Sequence, residues 1–160
     1  MSLVTPIETL VPHRSPMLLI DEVLSRDDKG IWALARLTAD CAFMHEGRVS
    51  SAVGLEYLAQ TAAALFTLLS MEEPATVRQG MLIACPRLDA DIPWFRVGES
   101  LLLHVRPASR MPAADQSRVL VKFVGDVYVV PNGVPIEGRL PTQLPVAGRG
   151  SVRAELSVYL

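Results

Sequence analysis

Ser50-Ser-Ala-Val-Gly54-Leu-Glu56-Tyr-Leu-Ala-Gln60-Thr-Ala-Ala-Ala-Leu65-Phe-Thr-Leu-Leu-Ser70-Met71 is a 22-residue stretch with one charged residue, Glu56. Apolar or small side chains occupy nearly every position, so a helix built from it has no polar face to turn toward water and belongs inside a core. Ser50 or Ser51 can cap its N-terminus, and Pro74 stops it after the acidic pair Glu72 and Glu73. A membrane span is the competing reading by length, but Glu56, Gln60 and several hydroxyls interrupt the run and no basic flank anchors it. The expectation is therefore a buried helix wrapped by the rest of the chain, with no membrane as partner.

A carboxylate on such a helix is costly unless it is paired, hydrogen-bonded or used. Gln60 lies one turn further along the same face, where its amide can hold the Glu56 carboxyl. From the residues alone two readings of Glu56 stand side by side: a helix-end acid reaching solvent, and a catalytic group.

The chain has 160 residues, half of them hydrophobic and a fifth charged, which predicts one compact domain over residues 1–160. A net charge of −2 advertises no nucleic acid. Cys41 and Cys85 have neither metal spacing nor a disulfide framework, and the N-terminus lacks a signal-peptide pattern, so a cytoplasmic protein with no metal is expected.

On either side of the helix the pattern is strand. Leu3–Leu10 has room for a short helical turn, and Val11-Pro-His13-Arg14-Ser-Pro16 reads as a stiff loop. A strand is expected from Met17 to about Leu24, a hairpin turn over Asp27–Gly30 and a second strand over Ile31–Leu37. A loop, Thr38–Val49, leads into the helix. After it come strands over Gly80–Leu88, Leu101–Arg106, Arg118–Val130 with a kink at Asp126, and Val152–Tyr159. Pro131–Gly150 holds 8 of the 22 Pro and Gly residues and reads as a long irregular excursion. Strands, one long buried helix, then strands is an α+β pattern, an antiparallel sheet curled around a single helix. One sheet face covers only part of such a helix, so a homodimer is expected to cover the remainder.

Two segments carry a family resemblance. Val11-Pro-His13-Arg14-Ser-Pro-Met-Leu-Leu-Ile-Asp-Glu-Val23 is similar to the Pro-His-Arg segment of the 3-hydroxyacyl-acyl carrier protein dehydratases of the hotdog superfamily. Gly54-Leu-Glu56-Tyr-Leu-Ala-Gln60 resembles their helix motif, an acid followed four places later by Gln. The closing Leu156-Ser-Val-Tyr159, with the wording of the helix motif, is most similar to the dehydratase-like group of aryl polyene biosynthesis clusters. The resemblance implies a hotdog fold, a substrate carried on the phosphopantetheine of an acyl carrier protein, no cofactor, and a catalytic pair of a loop His with the helix acid across a dimer interface. Glu56 is then one half of the pair. The family's Gly-His-Phe-Pro motif falls at Ala42, so the other half is His45, three places later, and lost or altered activity is the alternative.

Removing a weakly acidic α proton and expelling hydroxide needs a base near neutral pKa and an acid held protonated, which imidazole and a carboxyl in an apolar pocket supply. The amides from Ser51 to Gly54 at the helix start are placed to receive an enolate oxygen, so Val53, Gly54 and Gln60 are candidate substrate-binding residues; for Gly54 plain helix packing stands equal. His13 and Arg14 read as loop braces, His104 as a surface or interface residue on a strand, and Cys85 as buried and apolar. Arg106, Arg110, Arg118 and Lys122 form a basic patch for an acidic carrier or are scattered solvated charge. Two further functions stay open: a hotdog thioesterase, which uses the helix acid to activate water, and a catalytically weak subunit paired with an active relative.

Overall fold

A computed structural model describes residues 5–72, 80–112, 119–136 and 150–159. A short helix α1 (Ile7–Leu10) precedes strands β1 (Glu22–Asp27), β2 (Gly30–Arg36) and β3 (Arg48–Ser50). A 3-10 turn, Ser51–Val53, leads into the long helix α2 (Gly54–Glu72), followed by β4 (Met81–Ala90), β5 (Trp94–Arg96), β6 (Ser100–Pro112), β7 (Val119–Val130) and β8 (Val152–Tyr159). Six strands form one antiparallel sheet in the order β1-β2-β6-β7-β8-β4, and β3 pairs with β5 in a separate small ribbon. The α+β architecture is the expected one, a sheet laid against one long helix.

The inner face of the sheet explains the core. Ile31, Ala33 and Ala35 of β2, Leu101, Leu103 and Val105 of β6, Phe123 and Val127 of β7 and Val152, Ala154 and Leu156 of β8 alternate inward and are buried with Tyr57, Leu58, Ala62 and Leu65 of α2. Gly125 lies where the helix comes closest: a Cβ there would meet both Leu58 methyl carbons at 2.9 Å. Tyr57 and Phe66 lock the helix edge-on against Phe95 and Phe123, at 6.5 and 5.1 Å between ring centroids.

α2 is not surrounded. Half of the Ser51–Glu72 segment, long and apolar enough to cross a membrane, is buried inside the fold, and its other face is open. Ser50 Oγ accepts the Ala52 amide at 3.3 Å, and the helix runs to Glu72; Glu73 and Pro74 lie outside the described residues.

Three expectations shift, and a fourth holds as far as the described residues reach. Met17–Asp21 is not strand: the Leu18 amide bonds Arg14 and the Leu19 amide is taken by the Gln60 side chain, so sheet pairing begins at Glu22. Asp126 does not kink β7, which pairs continuously with β8 from Leu120 to Val127; the irregularity lies opposite, between Pro107 and Ser109 of β6. The loop before the helix contains β3, which the sequence did not suggest. Of the irregular excursion, 131–136 contain a turn and no strand, and 137–149 lie outside the described residues.

Candidate active site

The Gln60 side chain is fully buried at the centre of the site, and its orientation is fixed by chemistry. Its Oε1 accepts the Leu19 amide at 2.9 Å, and its Nε2 donates to the Met17 carbonyl at 2.8 Å. A donor and an acceptor on the same extended segment allow only one amide orientation. The remaining Nε2 hydrogen goes to Glu56 Oε1, at 2.9 Å. The predicted i,i+4 clamp is present, and it is anchored in the backbone of the Met17–Leu19 segment.

Pinning Met17–Leu19 onto α2 at Gln60 brings the preceding loop over the helix one turn earlier. There His13 Nε2 stands 3.5 Å from Glu56 Oε1, with both side chains one-third exposed. Arg14 braces the loop by donating to the Val11 and His13 carbonyls at 3.1 and 2.7 Å. Glu56 Oε1 thus faces Gln60 and His13 together, which leaves Oε2 as the oxygen without a partner from the clamp.

Glu56 and His13 both line a cavity of about 620 Å³. Its floor is the open face of α2, Glu56, Ala59, Ala63 and Phe66 at helical spacing, with Thr67 at the far end. One wall is α1 and the Val11–Arg14 loop; the other is Gly80, Met81 and Leu82 at the start of β4 with Val158. The cavity is a largely apolar slot with an acid and an imidazole at one end, the composition of a small-molecule site. Among the described residues no group of His, Cys, Asp and Glu could hold a metal ion.

The other predicted residues lie elsewhere. His45 is exposed in a turn closed by its own backbone pairing with Arg48, where Glu46 and Gly47 take positive φ, and it does not line the cavity. Gly54 packs under the sheet, where a Cβ would meet Val152, Phe95 and Val127 at 3.2 to 3.5 Å; neither it nor the half-buried Val53 lines the cavity. The amides expected to receive an enolate are partly engaged, Ser51 with the Pro93 carbonyl at 3.0 Å and Ala52 with Ser50 Oγ.

His104 sits on the outer face of the sheet, its ring stacked on Trp32 at 4.1 Å, and burial followed by the nearby Arg106 charge pulls its pKa down to about 4. Arg106 is tied to Asp126 and Lys122 is exposed, while the Arg110 side chain and Arg118 lie outside the described residues. Cys85 is half-buried against the core. The sequence reading missed His13 at the acid and the Ala59–Ala63–Phe66 stripe. The stripe had a signal, since the apolar residues three, seven and ten places after Glu56, two alanines and a phenylalanine, share its helix face.

A family model described as ApeP-like, ApeP dehydratase, matches residues 5–125. The chain is similar to a solved structure of the dehydratase heterocomplex ApeI:P from Xenorhabdus doucetiae, with a TM-score of 0.74 at 17% identity over 98% of this chain and 91% of that one. It is also similar to a hypothetical thioesterase protein with coenzyme A from Streptococcus pneumoniae TIGR4, with a TM-score of 0.55 at 8% identity over 86% of this chain and 83% of that one. A search of curated proteins returns no match.

Proposed function

Since the chain belongs to the ApeP-like dehydratase family and has the hotdog fold, we propose that it dehydrates 3-hydroxyacyl thioesters, carried on the phosphopantetheine of an acyl carrier protein, to trans-2-enoyl thioesters in aryl polyene biosynthesis. The observation that carries this reading is the Glu56 carboxyl, held through one oxygen by a Gln60 that cannot flip, at the end of an apolar slot. A carboxyl placed so can give a proton to the departing C3 hydroxyl from its other oxygen while the acyl chain lies along Ala59 and Ala63. The thioesterase alternative is not favoured by the family.

The chain works in a two-chain assembly with a second hotdog subunit. β4 is an edge strand with Met81, Leu82, Ile83 and Leu88 exposed, and its first residues form a wall of the slot, so a chain docked there would cover apolar surface and close the site. The similar solved structure is a heterocomplex, and a related but different chain is accordingly the preferred partner over the homodimer expected from the helix alone.

The test incubates the purified assembly with 3-hydroxyacyl and saturated acyl thioesters and follows enoyl absorbance and free thiol together. Enoyl formation without thiol release is the expected result; thiol release alone would replace the reading with the thioesterase.

A further inference from the structure

We propose that His13 is the base of this site, working in the same chain as Glu56. The inference rests on the dehydratase reading and adds to it an imidazole from the same chain, whose own His45 does not line the slot. Four observations carry it. His13 Nε2 is 3.5 Å from Glu56 Oε1, both groups line the same cavity, and both are one-third open to it. The separation is longer than a hydrogen bond, so neither group is consumed by the other, and it is short enough for the two to address neighbouring carbons of one chain. Finally, His13 Nδ1 is buried and makes no hydrogen bond, so no protein contact fixes the ring in a purely structural role. Among the three histidines of the chain, His45 lies in an exposed turn and His104 on the opposite face of the sheet.

The step balances within the pair. Neutral His13 takes the C2 proton, the C2–H electrons become the C2=C3 bond, and the C3–O bond breaks as protonated Glu56 gives its proton to the departing hydroxyl. Enoyl thioester and water leave an imidazolium facing a carboxylate. The proton then crosses from His13 to Glu56, and both groups return to their starting states with no further reactant.

The experiment uses the full chain in the assembly in which it purifies, with His13→Ala and the size-conserving His13→Asn, and His45→Ala beside them. For His13→Ala we expect kcat to fall at least about 10²-fold with KM changed by no more than about threefold. Added imidazole should restore at least about tenfold of that loss, by supplying the missing base from solution, and should leave wild type and Glu56→Gln unaffected. Either His13 variant retaining the wild-type rate overturns the assignment. So does a loss in folded protein that imidazole does not relieve, or a loss confined to His45→Ala. Glu56→Gln separates the levels: if it stays active, the dehydratase site itself is misplaced, whereas an inactive Glu56→Gln beside a fully active His13→Ala removes only the role of His13.

Discussion

Glu56 and Asp126 are acids set into opposite faces of the same structure, and their surroundings differ in kind. Asp126 points away from α2 on the outer face of the sheet, its side chain 1% exposed, with Arg106 at 2.8 Å, Arg153 at 3.7 Å and the Gly150 amide at 3.4 Å. Cations and a backbone donor occupy both of its oxygens. Glu56 is held by a neutral amide and an imidazole ring on one oxygen only, at the end of the apolar slot. A carboxylate whose two oxygens are taken up by arginines and a backbone amide has no free oxygen left to offer a ligand. One held by an amide through a single oxygen keeps the other for a ligand in the slot. The two sites thus separate an acid used for cohesion from an acid available for chemistry.

Exchanging each acid for its amide is the strongest attack on that contrast. Glu56→Gln should lower dehydration by at least about 10²-fold, the scale for a positioned acid or base. It should leave the thermal midpoint within a few degrees, since Gln60 can still donate to the new carbonyl; loss of stability without loss of rate would reverse the roles assigned to the two acids.

Gln60→Met tests the clamp at nearly constant volume. It leaves the Leu19 amide and the Met17 carbonyl without their partner, a cost of about 1–3 kcal/mol for buried polar groups, read as a lower urea midpoint. Activity should fall by about tenfold, less than for loss of the carboxyl itself, because the acid remains but is no longer aimed. A variant as stable as wild type would show that the Met17–Leu19 segment finds other partners.

Asp126→Asn should do the opposite of Glu56→Gln. Stability should drop by about 1–3 kcal/mol, less than the roughly 3–5 kcal/mol of a fully buried pair, since both arginines can still reach water. The dehydration rate of the folded protein should stay at the wild-type value, and a falling rate would mean that the outer face feeds the slot.

The smallest effect concerns His104, which neighbours Asp126 in the cross-strand register. Its folded pKa of about 4 lies below the ordinary 6.5, through burial first and the Arg106 charge second. Between these values the unfolded chain binds more protons than the folded one, so the contribution of His104 is fully present above about pH 6.5 and fades as pH falls toward about 4. With the ring partly solvated, screening reduces the effect to the order of 1 kcal/mol. Urea unfolding of His104→Gln across this window should have a shallower acid slope than wild type, and equal slopes would remove the histidine from the pH dependence.

Much of this molecule was legible in its residues. The period-two runs of β2, β6, β7 and β8, the Asp27–Gly30 hairpin and the long apolar helix are each specified by a few neighbouring side chains, and so is the Glu56–Gln60 pair, because i,i+4 residues on a helix share a face by geometry. Local chemistry also marked Glu56 as the residue needing explanation.

Tertiary structure decided what no local pattern holds. The strand expected at Met17 gives way because the Gln60 amide, 41 residues away from Leu19 in sequence, competes for its backbone and wins. The same bond carries His13 over Glu56 and turns a loop brace into the nearest imidazole to the acid. Asp126 looked like a break in a strand because a lone charge is costly in a sheet; the arginines that make it affordable come from β6 and β8, 20 and 27 residues away in either direction. Periodicity and propensity record what a residue does to its neighbours in the chain, whereas partner choice between distant side chains is settled only when the sheet closes against the helix.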